Sequence, residues 1–388
     1  MSPRNFSILL LATVASVGLA GWAVVERQVP AASRTVDEPL FAGFDQRLGD
    51  VAAVQVRSAG ETVTMRKDGD VWRIVERGGY PADPAKLREV ARAVAGLQLV
   101  EAKTASGDRL PRLELGDPSA EGAKSKLVTF EGADGKPIAS VVIGKSKYNL
   151  FGGSRGGVYV RRQGEDQAWL AAGEVTLPSD IMGWIDKDVA SLPEKDIVRV
   201  TLGEGGADPI VISRPQPGTD ELVLDRPPET GKVDDEVLAR VASTLDNLSM
   251  IGVRKADDKP MPADAPRARF ETADGIVVTV TSTVEGQGEK EEHWLAMRVS
   301  EGQPVVPPAP APAAAPAADP AAPAPAEAEE AQPAAAASAP AAPAKPLAER
   351  VAELGARLEG WQFQVPGYIA ERLTYDRQKM LAKPEGTS

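Results

Sequence analysis

The sequence predicts an α+β fold, a tandem duplication of a βββα-plus-strands module with one N-terminal transmembrane helix. Three observations predict it. Leu87, Val90, Val94 and Leu97 follow Asp83-Pro84, and Leu238, Val241, Leu245 and Leu248 follow Asp234, all at a shift of 151 (234 − 83). Two further echoes pair Phe130-Glu131-Gly132-Ala133-Asp134-Gly135 with Phe270-Glu271-Thr272-Ala273-Asp274-Gly275, and Gly183-Trp184 with Gly360-Trp361. Finally, Phe6 to Val25 carries no charge over 20 positions.

That uncharged run, read as a helix, spans about 30 Å, the thickness of a bilayer's hydrocarbon core. Arg4 precedes it, within an expected cytoplasmic tail over residues 1–5, and Trp22 stands where an interfacial aromatic belongs. A cleaved signal peptide is the competing reading, with Gly18-Leu19-Ala20 as its weak cleavage site. Such peptides have an apolar core of roughly 7–15 residues. The longer run favours an uncleaved anchor over residues 6–25, which ties the chain to the inner membrane. Both readings place the remainder outside the cytoplasm. Residues 26–40 are a polar tether, 41–192 module one, 193–381 module two and 382–388 a tail.

In module one, Val54-Gln55-Val56, Val63-Thr64-Met65 and Val71-Trp72-Arg73-Ile74 alternate as half-buried strands do. Asp68-Gly69-Asp70 supplies a turn. Asp83 has the chemistry of a helix N-cap with Pro84 at the first helical position, and Gly96 lies near the helix end. Leu127 to Phe130 and Ile138 to Ile143 form a hairpin about Ala133-Asp134-Gly135. Gly152 to Gly157 is a glycine-rich loop, and Val158 to Arg161 and Ala168 to Leu170 are further strands. Trp184 to Val189 closes the module.

Module two restarts at Ile197 to Val200 and Ile210 to Ile212. Leu222-Val223-Leu224 stands where Trp72 and Ile74 stood, and the helix after Asp234 follows. Phe270, Ile276 to Val280 and Trp294 to Met297 replay the later strands. Residues 302–346 are mostly Ala, Pro and Glu, a composition that cannot bury a core. They are expected to form a disordered loop inserted in module two, after which Leu347 to Leu358 is helical and Trp361 to Val365 alternates.

The 388 residues suit two domains plus extras. The net charge of −12 argues against nucleic acid as a partner. The chain has no cysteine, so disulfides, thiol nucleophiles and thiolate metal sites are excluded.

The motifs that could carry chemistry each have a plainer explanation. Gly144-Lys145-Ser146 ends like a P-loop, but Ala139 stands where that motif needs glycine, so a strand running into a turn is expected. Gly152 to Gly157 lacks the strand-to-helix context of a dinucleotide loop. His293, the single histidine, sits beside Glu291 and Glu292 and reads as a surface residue. Asp186 and Asp188 could work as acid and base, but nothing distinguishes them among 56 acidic residues. Trp72, Trp184, Trp294 and Trp361 could stack on a sugar, though their places in the repeat favour core packing. No catalytic, cofactor-binding or metal-ligating residue is assigned, and no cofactor.

The chain resembles a bacterial family known as domain of unknown function 4340. The resemblance rests on Val54-Gln55-Val56, Gly69-Asp70-Val71-Trp72-Arg73-Ile74, Pro81-Ala82-Asp83 with its helix, and Gly360-Trp361-Gln362-Phe363-Gln364-Val365-Pro366-Gly367-Tyr368. It covers most of residues 41–381 apart from the Ala/Pro tract, which departs from the pattern. It implies single-anchor envelope proteins, some encoded near gliding-type ABC transport components and their auxiliary proteins. It supplies no catalytic residues. The expectation is a non-enzymatic, membrane-anchored extracytoplasmic accessory protein, with an ABC permease or auxiliary subunits as partners. A periplasmic glycan- or peptide-binding module is the alternative, and a carboxylate-based hydrolase the third.

Overall fold

The structure is a computed structural model that describes residues 35–148, 156–229, 231–305 and 345–382, with side chains from Glu38 onward. The expected cytoplasmic tail, the anchor, most of the tether and of the glycine-rich loop, nearly all of the Ala/Pro tract and residues 383–388 lie outside these. Among the described residues no helix is long and apolar enough to cross a membrane. The chain divides into two compact units between Asp186 and Lys187.

Alternating apolar residues build unit one as a single antiparallel sheet of ten strands. In chain order they are β1 (Thr35–Pro39), β2 (Val51–Ser58), β3 (Glu61–Asp68), β4 (Val71–Ile74), β5 (Tyr80–Pro81), β6 (Gln98–Ala102), β7 (Lys126–Gly132), β8 (Pro137–Lys147), β9 (Gly157–Arg162) and β10 (Ala168–Ala172). Across the sheet the order is β1-β6-β10-β9-β8-β7-β2-β3-β4-β5. Register aligns Ile74, Met65, Val54, Phe130 and Ala139 in one row. Every member is buried, because period-2 alternation turns the same face inward at each strand. Phe44 closes on Phe130 with ring centroids 5.0 Å apart. Helix α1 (Pro84–Ala95) buries Leu87, Val90 and Val94. Asp83 caps it as its chemistry predicts, one carboxylate oxygen accepting from the amides of Ala85 (2.7 Å) and Lys86 (3.3 Å).

Unit two is built on an antiparallel sheet of eight strands. Its strands are β11 (Asp188–Ala190), β12 (Ile197–Leu202), β13 (Ile210–Ser213), β14 (Val223–Leu224), β15 (Leu248–Ser249), β16 (Gly252–Lys255), β17 (Arg267–Thr272), β18 (Ile276–Glu285), β19 (Glu292–Glu301) and β20 (Trp361–Val365). The large sheet runs β14-β13-β12-β17-β18-β19-β20-β16, while β11 and β15 pair separately. Its central row is Leu224, Ile212, Val200, Phe270, Val278 and Val299, all buried. The helices are α2 (Asp235–Ala242), α3 (Leu347–Leu358) and the short α4 (Gly367–Arg372). Asp234 caps α2 through the amides of Glu236 and Val237.

These sheets correct the expected fold class. The chain is mostly antiparallel β with few helices, and an α+β duplication of a βββα module is not shown. Three details account for the error. The run that echoes Leu87 to Leu97 is helical only as far as Ala242; Leu245 lies in a 3₁₀ turn and Leu248 in β15. The expected third strand of module two shrinks to Val223–Leu224. Gly183-Trp184 ends a 3₁₀ turn with Trp184 buried, whereas Gly360 has φ +82 and Trp361 begins β20. That last echo therefore joins residues in unlike structures. What the sheets have in common is strand order: β10-β9-β8-β7-β2-β3-β4 runs across one as β20-β19-β18-β17-β12-β13-β14 runs across the other.

Candidate functional site

In unit one the helix-covered face of the sheet continues past its buried row. Met65 faces Ile74 in that row, so the next same-face pair along β3 and β4 is Lys67 opposite Trp72. There the core opens into a groove of about 310 Å³ between α1 and the strands. Its floor is apolar, with Val51 and Val54 from β2, Leu87 and Ala91 from α1, and Leu48 from the 3₁₀ turn Asp45–Asp50. Half-buried Trp72 forms one wall. Lys67, Arg88 and Arg92 supply three cationic side chains and no acidic residue joins the lining. Among the described residues none of the three cations has an ion-pair partner; Arg88 spends only its Nε, donating to the Pro84 carbonyl at 3.1 Å.

Unit two carries a polar cluster of a different kind, in which every charge is engaged. Arg254 on β16 donates through both terminal nitrogens to Glu285 at 2.6 and 3.1 Å, and through Nε to Gln362 at 2.7 Å. Its guanidinium lies 3.9 Å from the centroid of the Trp294 ring. Lys259 reaches the same carboxylate at 2.8 Å, and the Gln362 amide donates to the Lys259 carbonyl at 2.6 Å. The Arg254 guanidinium, helped by Lys259, holds the Glu285 carboxyl down at about 2. Paired, stacked and satisfied, these groups pin β16, β18, β19 and β20 together rather than await a ligand.

Two of the other concave places in unit two are lined by polar and charged side chains. Arg267 and Arg298 border one of about 510 Å³ whose lining also holds Thr279, Thr281, Glu204 and Glu359. The other, of about 330 Å³, holds half-buried His293 with Ser282, Asp264 and Glu371. There Gly367 abuts the imidazole so closely that a Cβ would stand 2.8 Å from Nε2, and Nδ1 is buried without a partner among the described residues.

The residues weighed from sequence fall as follows. Gly144 lies inside β8, where a Cβ would meet the Glu114 carbonyl oxygen at 2.8 Å and that of Leu113 more closely still. This glycine exists for close backbone packing, and no phosphate fits there. Asp186 and Asp188 are both exposed. Trp184 and Trp294 are buried, while Trp72 and Trp361 are half-buried and line separate cavities. The groove itself went unnoticed in the sequence. Its signal was present: Arg88 and Arg92 at helical spacing i, i+4, and a lysine two residues beyond Met65 in a core-facing register.

The described chain is thus built mainly of antiparallel sheet, and the groove of its first unit joins an apolar floor to a cationic rim. Residues 72–266 match the model of the family described as Domain of unknown function (DUF4340), and the chain belongs to that family. The matched span includes Trp72 and all of α1. No curated protein and no solved structure matches the chain.

Proposed function

We propose that this chain is a non-enzymatic, membrane-anchored extracytoplasmic accessory protein that assists an ABC-type transport or envelope-assembly complex. The observation that carries this reading is the uncharged run Phe6 to Val25, long enough to span a bilayer as a helix. An anchor of that length holds the two sheet units at a membrane surface, where an accessory protein meets its complex. The open groove of unit one supports the reading, since a cationic rim around an apolar floor suits recognition of a partner more than chemistry on a substrate. In-cell crosslinking of the tagged protein at its native level, followed by membrane extraction and mass spectrometry, tests the proposal. Recovery of permease or auxiliary subunits, with the peptide Phe6 to Arg27 still attached, is the expected result. Recovery of no partner, and a mature chain beginning near Gly21, would overturn it in favour of a soluble binding module.

A further inference from the structure

We infer that the groove between α1 and strands β2 to β4 is a docking site for an acidic segment of a protein partner. The partner inserts one large apolar side chain against Trp72 and sets its carboxylates against Lys67, Arg88 and Arg92. The inference goes beyond the accessory reading and does not depend on it.

Charge is the first argument. The protein as a whole is acidic, with a net charge of −12, yet three cations face this groove and no acid lines it. Three of the carboxylates close along the chain are engaged by other cations, Asp50 by Arg47, Asp68 by Arg73 and Glu89 by Lys86, and exposed Asp70 does not join the lining. Arg88 and Arg92 stand four residues apart on one helix, a spacing at which like charges destabilise the helix. The position of Arg92 in the last turn softens that penalty through the helix dipole, but Arg88 has no such compensation. Lys67 adds a third cation from the opposite wall, at a register position that elsewhere on this face is apolar. An unrelieved cationic triad is a cost to the free protein that an anionic partner removes.

Shape is the second. The floor of Leu48, Val51, Val54, Leu87 and Ala91 continues the hydrophobic core to the surface beside a half-buried tryptophan. A cavity of about 310 Å³ is short for a long acyl chain but suits a single anchoring side chain, and an apolar anchor ringed by charge is how protein interfaces concentrate their affinity.

The test uses the full chain in nanodiscs of neutral phosphatidylcholine, with fluorescein-labelled hexapeptides read by anisotropy. The probes are Glu-Glu-Leu-Phe-Glu-Glu and its counterpart with lysine in place of glutamate. The acidic peptide binds and the lysine peptide does not, and raising the salt from about 50 to about 300 mM weakens binding about tenfold, as screening requires. The double reversal Arg88→Glu/Arg92→Glu and, separately, Lys67→Glu on the other wall each abolish binding of the acidic peptide, whereas Arg199→Glu on β12 leaves it intact. Equal binding of both peptides, no binding of either, or binding that survives both reversals would overturn the inference. So would saturable binding of dodecyl phosphate together with exclusion of the acidic peptide, which would assign the groove to an anionic amphiphile.

Discussion

Replacing Glu285 by glutamine removes the charge at the centre of the unit-two cluster while keeping the size of the side chain. Arg254 then retains its stack on Trp294 and its bond to Gln362 but loses a two-point carboxylate contact, and Lys259 loses its partner. The size of the loss follows from the titration of the carboxyl. A group brought from its ordinary 4.5 to about 2 stabilises the folded state by about 3 kcal/mol at neutral pH. Allowing for the 19% of the Glu285 side chain that meets water leaves about 2–3 kcal/mol. The sign is set by the direction of the change. Because the folded-state pKa is lowered, the contribution is complete above 4.5 and drains away as the pH falls towards about 2. More than half of it is gone by pH ~3. Urea unfolding of the full chain, with hydrogen exchange in β18 and β19 to localise the change, reads this directly. Wild type should exceed Glu285→Gln by about 2–3 kcal/mol at neutral pH, and the gap should shrink by more than half at pH ~3. A gap below about 0.5 kcal/mol at neutral pH, or one that ignores pH, would refute the reasoning.

Further outcomes follow from packing and capping. Asp83→Ala and Asp234→Ala each remove an N-cap and should lower stability by about 1 kcal/mol, seen as an earlier urea midpoint with unchanged slope. Phe130→Ala empties a fully buried site against Phe44 and should cost about 3–5 kcal/mol in the same assay. Gly144→Ala drives a methyl group into the carbonyls of Leu113 and Glu114, so a loss of about 2 kcal/mol or more is expected; a neutral effect would contradict the packing described for β8.

Much of the local structure was legible in the sequence. Asp83 and Asp234 announced helix starts because an N-cap works through amides two and three residues away. The hairpin between β7 and β8 was legible too, for Gly135 takes the positive φ its turn requires. Fold class was not, because helical periodicity is a local signal while sheet membership depends on distant pairing. Strand β6, for example, joins β1 to β10 and has no strong alternation of its own. The Arg254 cluster was equally hidden: its bonds span 31 residues to Glu285 and 108 to Gln362. Buried Arg214 likewise reaches back to the Ile197 carbonyl at 2.9 Å and to Glu194, contacts no short-range pattern announces. In the groove, Trp72 looked like a core residue because it shares the register of Ile74. The sequence does not say where a core ends and a surface begins.

Both large sheets finish in very short borders. Strands β5 and β14 contain two residues each, β16 four and β1 five. Pro81 in β5 and Pro39 in β1 have no amide hydrogen to offer. Borders this brief give a foreign strand little to zip onto, which disfavours runaway self-association through the described edges. The same bluntness narrows how the protein can be engaged. Visitors that add themselves as an extra strand find almost no purchase, so recognition is directed to the broad surfaces of the sheets and to the helices lying on them.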